Sequence, residues 1–203
     1  MSSLWRKVWR DLAGRRIRTA LTILGVAAGV AGLVAIVSTS RNITRAQQTI
    51  YTNTSQADIT YWVWEAPTNL IPFLQADDRV ASVELRLTHV TRWRAQDGWM
   101  DIELVGVNDF EQVRLNRFDL LKGSYPAAGQ ILLESADALA SGLDTGAEIA
   151  VRDPSARERY LTISGLSASP SYLSSAITKV TVGYVPASTL RRMLNLTGNN
   201  QLL

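Results

Sequence analysis

The sequence predicts an α+β protein: one N-terminal transmembrane helix followed by a mixed α+β extracytoplasmic domain. Three observations carry that reading. Residues 19–40 form a run of 22 residues without a single charge. The basic residues are concentrated ahead of that run. Beyond residue 57, short alternating apolar segments are interleaved with two helical patterns.

The first 18 residues read as a cytoplasmic, basic, amphipathic segment. Leu4, Trp5, Val8, Trp9 and Leu12 fall on one helical stripe, and Arg6, Lys7, Arg10 and Asp11 occupy the remainder. Trp5 and Trp9 belong at headgroup depth, with Arg15, Arg16 and Arg18 as the membrane-interface cations. Six basic residues against Asp11 give this segment a charge of +5, which leaves −2 for the rest of a chain whose net charge is +3. A basic face on a folded domain, which nucleic-acid binding requires, is therefore missing. Anionic lipid is the partner that the segment suits.

Residues 19–40 follow as the membrane span. At 1.5 Å per residue the run reaches roughly 33 Å, enough to cross a hydrocarbon core of about 30 Å. Gly25 and Gly29 make a GxxxG spacing, and Ala28 and Gly32 repeat it on the next turn, a helix-packing pattern that composition alone also produces. Six Lys/Arg before the span, against Arg41 and Arg45 after it, place the N-terminus in the cytoplasm. A cleaved signal peptide is the rival, with Ser38-Thr39-Ser40 as a small-x-small site. The apolar run is, however, longer than a usual signal core.

Residues 41–56 continue as a helical stalk, and residues 57–203 form the outer domain. Residues 58–64 alternate and are β-branched and aromatic, which indicates a strand. Pro67 and Pro72 bracket a turn or short helix. Residues 80–95 and 100–107 read as strands joined by a hairpin at Asp97-Gly98. Residues 120–129 read as a loop and 131–133 as a short strand. Ser135 is expected to cap a helix ending near Gly142. Residues 147–152 and 160–163 pair around the Asp153-Pro154 turn. Residues 180–185 are expected to be the last strand. Pro186 opens a final helix over 187–196, with Leu190, Met193 and Leu194 as its apolar stripe.

Little catalytic chemistry is visible. The chain has no cysteine and one histidine, His89, which reads as structural. No GxxxxGK[ST] or GxSxG is present. The carboxylate pairs Asp77-Asp78 and Asp101/Glu103 read as solvated, and no metal-ligand spacing occurs. These features point away from an enzyme. Trp62, Trp64, Trp93 and Trp99 fall on strands expected to be neighbours, and their simplest place is the core. If Ile59, Tyr61 and Val63 face the core instead, Trp62 and Trp64 form a possible partner surface.

These residues add up to a family pattern. The run from Arg15 to Val26, RRIRTALTILGV, resembles the opening span of MacB/FtsX-type ABC transporter permeases. Leu104-Val105-Gly106-Val107 resembles their VGV strand. The stretch 129–146 is similar to their GEIVL…LGLxxGD segment, with Gln130 and Ala147 where the family has Glu and Asp. Leu161-Thr162-Ile163-Ser164-Gly165-Leu166 resembles the strand that follows.

The resemblance implies a MacB-like periplasmic core domain in a cell inner or plasma membrane permease. It implies a homodimer, or a heterodimer with another permease. It implies no cofactor of its own, ATP being bound by a cognate ABC ATPase subunit. Family permeases continue into three further spans that this sequence lacks, so a fragment, or a partner supplying them, is expected. The alternative is a single-pass anchored binding or scaffold protein that regulates envelope enzymes.

Overall fold

The computed structural model describes residues 16–67, 69–96, 98–170, 172, 175–196 and 198–203. The amphipathic stripe with Trp5, Trp9 and Arg15, and Asp97 of the hairpin turn, lie outside the described residues. The chain divides into two compact units between Thr49 and Ile50.

Helix α1 runs Arg16–Thr54. Its stretch Ile17–Asn42 is long and apolar enough to cross a membrane. Leu21, Leu24, Val30, Leu33 and Ile36 are all exposed, as expected of side chains whose solvent is lipid. Thr22 returns its hydroxyl to the Arg18 carbonyl at 3.0 Å, so this polar group is satisfied within the helix. A Cβ placed on Gly25, Gly29 or Gly32 would meet nothing within 4 Å.

The second unit holds nine strands among the described residues. They are β1 Tyr61–Ala66, β2 Leu85–Ala95, β3 Gly98–Val107, β4 Asp119–Gly123, β5 Gln130–Glu134, β6 Glu148–Arg152, β7 Glu158–Ala168, β8 Val180–Pro186 and β9 Asn199–Leu202. Four short helices join them: α2 Leu70–Gln75, α3 Ser135–Ala140, α4 Ser175–Thr178 and α5 Ala187–Leu194. The strand order is β1-β9-β2-β3-β8-β5-β7-β4, and β6 pairs with both β2 and β7. The pairings β2-β3-β8-β5-β7-β6 thus return to β2, closing a ring through the single Trp93–Val151 pair. β3·β8 and β5·β7 are parallel, and the other pairs are antiparallel.

Alternation along the strands fills the ring. Leu87, Trp93, Ile102, Leu104, Ile131, Leu133, Ile149 and Ile163 pack as one buried cluster with Leu190 and Leu194 of α5. The opposite face of β3, β5 and β8 is also covered, by Val105, Leu132, Val182 and Tyr184 against Phe118. Burial on both faces explains the apolar runs Leu104–Val107, Ile131–Leu133 and Val182–Val185 within these strands.

Several expectations change. The segment expected as a strand from residue 80 joins the sheet only at Glu84, which exchanges backbone hydrogen bonds with Leu203, and is a strand from Leu85, where β9 reaches it. Part of the expected loop 120–129 is the edge strand β4, whose adjacent Leu120 and Leu121 show no alternation to reveal it. Ser135 does not cap α3. Glu134 occupies the N-cap position and makes no side-chain cap bond, and Ser135 is already helical. Gly142 does end the helix, with φ +66°. Its N–H bonds the Leu139 carbonyl, and the Leu143 N–H bonds the Ala138 carbonyl, a Schellman closure. The last strand is β9, not β8.

Candidate functional site

β1 is the edge of the sheet, and among the described residues its one strand partner is β9. The residues before it are tied down. The Thr54 and Ser55 carbonyls accept from the Arg117 and Asn116 N–H groups, and the Asn116 side chain accepts from the Ala57 N–H at 2.9 Å. β9 is held to β2 partly by a side chain. The Asn200 amide accepts from the Thr88 N–H and donates to the Thr88 carbonyl, both at 2.8 Å, so it mimics a peptide group.

On this support β1 is bare. Trp64 is 99% exposed and Trp62 61%, and Tyr61, Val63 and Ile59 are exposed as well. Phe73 of α2 is a further exposed aromatic. The core reading of Trp62 and Trp64 is therefore corrected, and from Tyr61 to Glu65 neither face of β1 is covered; only Ala66 at its end is buried. The physical reason is the strand order. β1 joins the sheet beyond β9, outside the closed ring, so alternation along it selects no buried face. Two cavities of about 290 Å³ adjoin this strand. One is lined by Tyr61 with Leu74, Val80, Leu115 and Leu203, the other by Trp64 with Leu87, Leu196 and Asn199. Exposed apolar area flanked by open backbone N–H and C=O groups is the chemistry of a protein or lipid contact.

The other tryptophans differ. Trp93 is buried at 1% exposure inside the ring. Trp99 is half-buried beneath the Arg152 guanidinium, 4.1 Å from its ring centre, with Arg94 at 5.1 Å. Thus β2 and β3 are neighbours as expected, whereas β1 is not adjacent to either.

The titratable residues named from sequence do not converge. Asp77 binds Arg79 at 2.7 Å, and Asp101 lies 3.7 Å from Arg92. Burial holds His89 below the usual histidine value and raises Glu103 above the usual carboxylate value. Glu103 is half-buried, so it is not the solvated group expected of its pair. Among the described residues no three of His, Cys, Asp and Glu are placed to hold a metal. Two carboxylates that sequence reasoning passed over, Glu134 and Asp137, do share a cavity. Their three-residue spacing across a strand-to-helix junction was the one available signal.

Comparison with known proteins adds the following. The family model described as MacB-like periplasmic core domain matches residues 19–202. The extracellular domain of the noncanonic ABC-type transporter YknZ from Gram-positive bacteria superposes with a TM-score of 0.50 at 12% identity, covering 70% of this chain and 79% of that one. The periplasmic region of MacB from Actinobacillus actinomycetemcomitans gives a TM-score of 0.46 at 10% identity, covering 70% and 71%. No curated protein matches the chain.

Proposed function

The chain belongs to the MacB-like periplasmic core domain family, and from that premise we propose that it is a permease component of an ABC transporter of the MacB/FtsX type. In this reading α1 spans the membrane with its N-terminus in the cytoplasm, and the outer domain lies in the periplasm or outside the cell. A separate ATPase binds and hydrolyses ATP, and the resulting motion reaches the outer domain through α1. Gly25, Ala28, Gly29 and Gly32 form the face on which α1 meets another span, of a second copy or a different permease.

The observation that supports this most is the reach of the family match. It begins at Thr19 inside the apolar helix and continues to Leu202, so helix and domain form one family unit rather than a generic anchor joined to an unrelated module. The open surface beside Gly25, Gly29 and Gly32 is compatible with close helix contact.

The test uses the full chain expressed with a candidate P-loop ABC ATPase from the same genome. The two should co-purify from membranes, and the ATPase rate should change when the permease component is present. Because the chain has no cysteine, Ala28→Cys introduces a unique thiol. It should form a disulfide-linked pair under oxidation, whereas a cysteine at the exposed Val34, on the opposite face of the helix, should not. An ATPase that neither co-purifies nor changes rate would refute the coupling.

A second reading, an anchored binding protein that regulates envelope enzymes, draws on the bare aromatic strand β1. It requires partner binding through Trp62 and Trp64 that persists when the ATPase is deleted.

A further inference from the structure

Trp64 and Glu65, near the end of β1, and the turn from α5 into β9 line one cavity of about 290 Å³. Leu87 of β2 and Leu196 of the turn supply its apolar lining. The remaining groups are aromatic or polar. Trp64 is 99% exposed, so both faces of its indole are open. Asn195 closes α5 in the left-handed conformation, at φ 54°, and is exposed. Glu65 is exposed as well and lies over Gly198, where a Cβ would come within 2.6 Å of its Oε1. Asn200 is half-buried and fixed in place by Thr88. Its Oδ1 accepts from the Thr88 N–H and its Nδ2 donates to the Thr88 carbonyl, which leaves the second Nδ2 hydrogen as a preset donor. Among the described residues no Lys or Arg lines this cavity.

An open indole face beside amides and a carboxylate, with no cation, suits a ligand that is apolar on one side and hydroxylated around its edge. We propose that this cavity binds a neutral sugar ring, which stacks on Trp64 while its hydroxyls bond Asn195, Asn200 and Glu65. A pyranose presents a face of C–H groups, and the electron-rich face of an indole attracts those hydrogens. Each hydroxyl both donates and accepts, so it can serve an amide and a carboxylate alike. A purely apolar ligand would strip water from these polar groups without replacing it. A phosphate or carboxylate ligand would meet the Glu65 charge with no cation beside it. The volume falls just below that of pockets for drug-sized ligands, so it admits one ring rather than a chain. That ring can be a free sugar or one unit of a glycan. The proposal rests on this cavity and not on coupling to an ATPase.

The test titrates the full chain in a polyoxyethylene detergent, which carries no sugar headgroup, by saturation-transfer NMR and tryptophan fluorescence. The probes are glucose, N-acetylglucosamine, maltotriose and chitotriose. Sorbitol supplies hydroxyls without a ring, and tetramethylammonium tests the indole and carboxylate as a cation site. Saturable binding of at least one monosaccharide, with Kd on the order of 1 mM and none for sorbitol, is the expected result. A trisaccharide that binds at least about 10-fold more tightly than its monosaccharide assigns a glycan as the natural source, and equal affinities assign a free sugar. Trp64→Ala should weaken monosaccharide binding at least about 10-fold, and Trp64→Tyr should keep most of it. Asn195→Gly should weaken it roughly 3- to 10-fold, the loss of one hydrogen bond. That variant keeps the fold, because glycine also adopts the left-handed conformation. Trp62 does not line the cavity, so Trp62→Ala should bind monosaccharide as wild type does. No saturable sugar binding, equal binding of sorbitol, tighter binding of tetramethylammonium than of any sugar, wild-type affinity in Trp64→Ala, or an equal loss in Trp62→Ala would overturn the proposal.

Discussion

Trp93 offers the sharpest test of the closed strand ring. It sits opposite Met100 on β3 and forms the one pairing between β2 and β6. It is 1% exposed, and its Nε1–H has no hydrogen-bond partner. Trp93→Ala removes a buried indole at the seam, at a cost of about 3–5 kcal/mol. For a domain of this size each kcal/mol moves the unfolding temperature by roughly 2–4 °C, so a fall of about 6–20 °C is expected. Trp93→Phe loses on the order of 1–2 kcal/mol of packing. It also removes a buried unpaired donor, worth about 1–3 kcal/mol. The net should lie between about 1 kcal/mol lost and about 2 kcal/mol gained. Trp64→Ala, at 99% exposure, should change stability by less than about 0.5 kcal/mol. The assay is thermal unfolding of the full chain in detergent micelles, followed by circular dichroism. If Trp93→Phe is as damaging as Trp93→Ala, the indole N–H is paired in the native molecule. If Trp93→Ala matches Trp64→Ala, the ring does not close at Trp93.

Three further outcomes follow from the same fold. Gly123 has φ +81°, and a Cβ there would collide with the Ser164 carbonyl and approach the Gly165 Cα to 2.7 Å, whereas Gly142 has φ +66° with open space around it. Gly142→Ala should therefore cost only the left-handed strain of about 1–2 kcal/mol. Gly123→Ala should cost that plus about 1–3 kcal/mol of overpacking, and equal losses would refute the close β4–β7 approach. Burial raises Glu103, so its contribution is fully present below the ordinary value of 4.5 and is lost as pH rises through the raised one. Glu103→Gln should flatten that decline and exceed wild-type stability at alkaline pH, as read from unfolding temperature against pH; a variant that tracks wild type throughout would contradict the burial. The double variant Trp62→Ser/Trp64→Ser should keep the wild-type unfolding temperature but lose partner capture or ATPase coupling, and unchanged coupling would remove β1 from the working surface.

How much of this was legible depended on whether a residue's environment was local. The span was legible because lipid selects on length and charge alone, and residues 19–40 meet both conditions. Helix α5 was legible because Pro186, Leu190 and Leu194 mark its start and buried stripe within two turns. β9 was not. Its residues Asn-Asn-Gln-Leu carry no strand preference, and it forms because β1 and β2, more than a hundred residues earlier, bracket it. The misplacement of Trp62 and Trp64 follows from the same cause. Alternation locates a buried face only when something lies against it, and the identity of that neighbour is a long-range fact. Glu134 and Asp137 were passed over because the Val180–Val182 wall that completes their cavity arrives from β8.

Gly106 ties the legible part to the rest. A Cβ there would stand 3.1 Å from the Leu87 carbonyl oxygen, 3.2 Å from the Ala187 Cα and 3.3 Å from Leu190. Two of these neighbours are backbone and cannot retreat, so β3 must be bare at this position for α5 to lie on it. Asn195 then ends α5 in the left-handed conformation, at φ 54°, and the chain turns towards β9. Among the described residues, β9 in turn is the strand that pairs with β1. The glycine of the Leu104–Val107 run is thus the seat of a helix whose following strand supports the exposed tryptophans, which lie some forty residues away in sequence. The Leu104–Val107 run and the bare strand β1 are joined by one chain of packing contacts, and a larger side chain at position 106 would disturb both.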